Sequence, residues 1–102
     1  MPVSLQVAYP VVNGTTFDAA YYFGTHMELV ARHFGPHLQS STASKGVAGG
    51  PDQPSPFYAI ATMIFADQAA FDAAMAEAGP VLADIPNFTD TTPQMMIGEV
   101  MV

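Results

Sequence analysis

Residues 57–65 read FYAIATMIF, nine residues that carry no charge and are almost wholly apolar. A strand buried on both faces has this composition. The loop before it, residues 46–56 (GVAGGPDQPSP), holds three Gly and three Pro and reads as a mobile segment able to act as a flap. Before that loop, residues 37–45 are polar, rich in Ser and Thr and short of large apolar groups, which reads as an edge strand. After the apolar run, Asp67 caps a helix through about Ala78. Phe71, Met75 and Ala78 form its inner stripe, and Gly79-Pro80 ends it.

The outer parts of the chain repeat the pattern. Residues 3–9 alternate, with Val3, Leu5, Val7 and Tyr9 on one side and Ser4, Gln6 and Ala8 on the other; period two is the mark of a strand with one apolar face. Pro10 and Asn13-Gly14 end it, and Thr15 or Thr16 is placed to cap a helix over 17–34. Phe23, Met27, Val30 and Phe34 recur as one apolar stripe, with Tyr22, His26, Leu29 and His33 in the adjacent row. Gly24 weakens this helix, and Gly35-Pro36 stops it. Residues 81–88 read as an irregular turn or a single helical turn. Pro93 leads into a last strand over 95–101.

The order strand, helix, strand, strand, helix, strand predicts an α+β, ferredoxin-like βαββαβ sheet with both helices on one face. Its other face is apolar and must be covered. Half of the 102 residues are apolar and only 11% are charged, against a usual charged share of about 25%. Both observations predict a homodimer through the sheet face.

Net charge is −7, with Arg32 and Lys45 the only fixed cations. Nucleic-acid binding needs basic residues to neutralise phosphates, and an anionic membrane surface repels a chain of this charge. A neutral or weakly polar ligand is the partner that fits. There is no cysteine, which excludes disulfides and thiolate chemistry. The N-terminus lacks a basic region and a long apolar run, and no apolar stretch approaches the roughly 18–20 residues of a membrane span. A cytoplasmic location is expected. No GxGxxG, P-loop, GxSxG or HExxH pattern occurs, and Gly35-Pro36 separates His33 from His37. The expectation is therefore no cofactor and no metal site.

Three stretches together resemble the EthD family, named for a protein of ethyl tert-butyl ether degradation: FDAAYYFGTHMELV, FYAIATMIFAD with DQAAFDAAM, and ADIPNFTDTTPQMMIGEV. The resemblance runs over nearly the whole chain and implies a single EthD-like domain over 1–102. Its most specific parts are Tyr21-Tyr22 followed by His26, and Asn87 to Asp90 with Pro93. It implies a dimeric α+β barrel with a ligand cavity between sheet and helices. Relatives in that superfamily include cofactor-independent monooxygenases, heme-degrading oxygenases and muconolactone isomerases.

His26 is the leading candidate for chemistry. An imidazole accepts or donates a proton near neutral pH, and Tyr22 lies one turn away on the same face, placed to hold its tautomer or to bind a substrate oxygen. The competing reading is a core histidine satisfied by Tyr22 and a backbone carbonyl. Phe71, Met75 and Phe88 are expected to wall the pocket. Glu99, in an apolar strand, either faces solvent or is a buried carboxylate partnering His26. Two functions fit. One is cofactor-independent oxidoreductase (monooxygenase-like) or isomerase/cyclase chemistry in oxidative degradation or secondary metabolism, with His26 and Tyr22 at the centre. The other is a non-catalytic binding or accessory module of an oxygenase system.

Overall fold

The computed structural model describes residues 1–102. Four antiparallel strands, β1 (Val3–Pro10), β2 (Leu38–Lys45), β3 (Phe57–Phe65) and β4 (Gln94–Glu99), lie in the order β2-β3-β1-β4. This is the ferredoxin-like βαββαβ arrangement. The polar β2 is an edge strand, as its composition predicts. Directly opposed residues of antiparallel strands share a face. The pairs Leu5–Met63 and Val7–Ala61 therefore put the apolar sets of β1 and β3 on the same side. That side carries the helices.

The first helical rod spans residues 19–34 in three pieces: α1 (Ala19–Tyr21), a π-helical turn (Tyr22–His26) and α2 (Met27–Phe34). Its cap is Asp18, whose carboxylate accepts from Tyr21 N at 3.1 Å. Neither threonine expected in that role performs it. Thr15 Oγ1 is turned back on Val12 and lies 2.9 Å from Tyr58 Oη, and Thr16 offers its carbonyl to Thr89. The π turn also changes which residues face the sheet. Tyr22, His26, Val30 and Phe34 are buried, whereas Phe23 and Met27 of the expected stripe are only half-buried. In a regular α-helix a row spaced by four drifts around the axis. The wider turn, closed by i→i+5 bonds, removes much of that drift.

The second helix, α3 (Gln68–Met75), is capped by Asp67, which accepts from Ala70 N at 2.9 Å. It stops earlier than expected. Gly79-Pro80 does not end it but opens another helix, α4 (Gly79–Ala83), with Pro80 in the first turn, where a missing N–H costs nothing. A 3-10 turn over Ile85–Asn87 follows. The last strand is shorter than the expected 95–101.

Phe65 is fully buried and joins α2 and the helix over Gln68–Met75 to the sheet. Its ring meets Phe71 at 5.5 Å and Phe34 at 6.5 Å, edge to face in both cases. β3 is buried on one face only, through Ala59, Ala61, Met63 and Phe65. On the other face Ile60, Thr62 and Ile64 are half-buried. That second face, with Ala8 and Met96, has no helix over it. At its centre Thr62 Oγ1 donates to Gln6 Oε1 at 3.4 Å. Double burial of β3 is thus not achieved within one chain.

The loop 46–56, expected as a flap, carries its own backbone hydrogen bonds. Gly49 N donates to Gln53 O at 3.0 Å and Gln53 N to Gly50 O at 3.2 Å. Gly50 takes φ +151°, open to a residue without Cβ, and Asp52 takes φ 60°. The segment is folded on itself beside the ends of β2 and β3 and does not border the cavity under the helices.

Candidate functional site

A cavity of about 130 Å³ lies between the sheet and the helices. Leu5, Val7, Ala61 and Met63 form its floor, and Val30 of α2 lies above them. Leu82, Met95 and Ile97 border it and are about half exposed or more, so the mouth lies between α4 and β4. Sixteen of its seventeen lining residues are hydrophobic. An apolar cavity of ~150 Å³ holds one benzene, so the space here is of single-ring size. The polar atoms at its wall come from Tyr9, Tyr22 and His26.

His26 is the last residue of the π turn and is 3% exposed. Its ring is stacked on Tyr22 (centroids 5.5 Å apart, planes 18°) and touches Phe88 on another side (4.6 Å). Nδ1 lies 2.9 Å from Asp84 Oδ2. The other carboxylate oxygen, Oδ1, accepts from Tyr21 Oη at 2.7 Å and from Asn87 Nδ2 at 2.9 Å. Burial acts to raise the Asp84 pKa. The hydrogen bonds from Asn87, Tyr21 and His26 outweigh it, and the carboxyl is held below the usual carboxylate range. An ionised Asp84 only accepts, so Nδ1 must carry the proton. In a neutral imidazole the lone pair is then on Nε2. No protein group bonds Nε2, it is not among the sealed-off atoms, and His26 is one of the residues that line the cavity.

The sequence-predicted residues divide. Tyr22, His26 and Met75 line the cavity. Phe88 is buried against the imidazole and fixes it from behind without bordering the space. Phe71 packs beneath Phe65 in the core and does not reach the cavity. Glu99 is exposed at the end of β4, opposite Val3 and outside the cavity. Beyond the helix cover its carboxylate stays hydrated, which costs less than burial. The partner of His26 is Asp84, not Glu99, Tyr22 or a backbone carbonyl. No three His, Asp or Glu side chains converge on a point that would hold a metal ion; His37 pairs with Glu77 at the surface, 3.2 Å apart.

Tyr22 Oη is the one buried side-chain nitrogen or oxygen with no hydrogen-bond partner. Burial pushes its pKa up to about 12, so it stays a protonated phenol. A buried hydroxyl without a partner costs about 1–3 kcal/mol. Tyr22→Phe should therefore leave stability unchanged or raise it by up to that amount in urea unfolding; a loss of stability would show that the hydroxyl is already bonded. A carboxyl whose folded pKa is depressed stabilises the fold above its unfolded pKa and loses that contribution as pH falls through the folded value. Asp84→Asn should accordingly lower the urea midpoint at neutral pH. The gap from the unaltered protein should narrow as the pH falls below the ordinary carboxylate range and through the depressed value of Asp84, and an equal gap at neutral and at strongly acidic pH would dismiss the ionised pair.

The sequence model of the EthD domain matches residues 15–92. A crystal structure of an EthD-like protein from Ralstonia eutropha is 37% identical, covers 99% of this chain and 93% of its own, and superposes with a TM-score of 0.87. An ethyl tert-butyl ether degradation (EthD) family protein from Bacillus halodurans is 28% identical over 99% of this chain and 100% of its own, with a TM-score of 0.76. SnoaB, a cofactor-independent oxygenase from Streptomyces nogalater, shares the fold at 16% identity (97% and 92% covered, TM-score 0.66). No curated protein matches the chain. The match over 15–92 includes the rod that carries Tyr22 and His26 and the segment that carries Asp84 and Phe88: the chain belongs to the EthD family.

Proposed function

We propose that the protein is a cofactor-independent enzyme acting on a small apolar or aromatic molecule, with His26 as its acid–base group. The observation that carries this reading is the imidazole itself. Its Nδ1 is held by a carboxylate, no protein group bonds its Nε2, and the residue lines an apolar cavity. Asp84 orients the ring and stabilises the imidazolium that forms when Nε2 takes a proton, the same division of labour as in a hydrolase dyad. Proton removal from an activated C–H or O–H leaves an electron-rich carbanion or enolate. Molecular oxygen can add to it, which is monooxygenase-like chemistry, or the proton can return to another carbon, which is isomerase chemistry. That SnoaB is an oxygenase without a cofactor supports the first branch. Participation in a degradation pathway accords with the family's name.

The second reading is a binding or accessory module that holds an apolar intermediate for a partner oxygenase. The near absence of polar groups in the cavity favours it. In either case the protein works as a homodimer. The uncovered sheet face with Ile60, Ile64 and Met96 is the surface that a second copy would bury.

With a panel of small phenols and cyclic ketones, oxygen uptake or isomerised product should be detectable, and His26→Ala should lower the rate by roughly 100- to 10,000-fold. Unchanged turnover would remove His26 from the chemistry, and stoichiometric binding with no product would establish the accessory role. In sedimentation equilibrium the protein should run as a dimer and the Ile60→Glu/Ile64→Glu variant as a monomer. A folded variant that remains dimeric would place the interface elsewhere.

A further inference from the structure

Four of the chain's seven methionines converge on the cavity. Met27 comes from α2, Met63 from β3, Met75 from the end of α3 and Met95 from β4. The other three, Met1, Met96 and Met101, are exposed and do not border it. Met63 is buried in the floor, and Met95 is about half exposed at the mouth. The wall is almost wholly apolar, and no Asp, Glu, Lys or Arg belongs to it. Tyr22 borders the space, yet its hydroxyl is sealed from contact even with water. We infer that the cavity is a receptor for a hydrocarbon group of single-ring size that carries no hydrogen-bonding atom, and that its methionines let it accept such groups in differing shapes. This rests on the cavity as the seat of the ligand, which both readings of the function share, and deepens them by naming the group that enters.

The wall selects in two ways. The first is against polarity. A hydroxyl moved from water into so apolar a space loses its hydration with little to replace it, and binding weakens by that cost. A polar atom of a longer ligand therefore stays at the mouth between α4 and β4, where Leu82, Met95 and Ile97 meet water. The second selection is for bulk and not for outline. A volume of about 130 Å³ admits one ring and no second. Branched side chains such as Val7 and Val30 have few rotamers and fix the part of the wall they form. Methionine is unbranched, with three rotatable bonds and a polarizable sulfur that also makes favourable contacts with aromatic rings. The four methionines stand on four different elements, so the wall can adjust on several sides without a helix or strand having to move.

The test is a proton–carbon correlation spectrum of the full chain, carbon-13 labelled at the methionine methyl groups and titrated with benzene, cyclohexane and phenol. Benzene and cyclohexane should each shift the methyl signals of Met27, Met63, Met75 and Met95 to saturation and leave those of Met1, Met96 and Met101 in place. The two hydrocarbons differ in outline and should bind within about tenfold of each other. Phenol differs from benzene by the hydroxyl alone and should bind at least about tenfold more weakly. Phenol bound as tightly as benzene, or more so, would overturn the exclusion of polar groups and leave the cavity in place as a ligand seat. Binding of benzene without cyclohexane would overturn the tolerance of shape. No shift of the four cavity methyls with either hydrocarbon would overturn the inference together with the cavity reading on which it rests.

Discussion

One carboxylate, that of Asp84, accepts from three side chains: His26, Tyr21 and Asn87. Two of them lie on the first helical rod, 58 and 63 residues away in sequence, and the third is three residues on. The bonds therefore close a long loop as well as orienting a ring. They hold the segment after α4 against the rod, and with it Phe88, whose ring touches the imidazole. A partly buried ionised carboxylate is costly without donors. Here three donors compensate it, and the one basic group among them, His26, lines the cavity. The orientation of the site thus follows from the satisfaction of a single anion.

Around that carboxylate the protein is built in two densities. At one end Tyr9, Phe17, Tyr22 and Phe88 lie within 5.1–5.5 Å of one another. At the other Phe34, Phe65 and Phe71 fill the space between helices and sheet. The cavity lies between these clusters, and the taper of β3 makes room for it. Its core-facing residues run Ala59, Ala61, Met63, Phe65, small to large along one strand. Interiors are normally packed without voids larger than a water molecule. An alanine in the middle of a sheet, below a helix that offers Val30 and Met27, leaves a gap that bulkier neighbours do not close.

The strands were legible because their patterns are local. Alternation in β1 and the uncharged run of β3 need no partner to be recognised, and the element order then dictates the sheet. What failed to show were choices decided by tertiary contact. Asp18 and not Thr15 or Thr16 caps the rod, because Thr15 is engaged with Val12 and Tyr58 and Thr16 with Thr89 and Asp90. Gly79-Pro80 suits a helix start as well as a helix stop, and only the packing of Val81 against the core selects the start. In the site, His26 and Tyr22 stood out through residue type and spacing. Asp84 did not, since nothing in one carboxylate among nine acidic residues reveals a partner 58 positions away. Tyr9 was hidden for the opposite reason: its place in an alternating strand already explained it.

The π turn at residues 22–26 makes the site depend on a count and not on composition alone. Each residue of an α-helix advances by about 100°, so removing a single residue near Gly24 would restore an ordinary helix. Every side chain before the deletion would then swing by that angle against those after it. Val30 and Phe34 would stay seated on the sheet while Tyr22 rotated away from the imidazole, although none of these side chains had been lost. Within a lineage, then, insertions and deletions in this short stretch would separate members that keep the stacking of Tyr22 on His26 from members that keep only the shape.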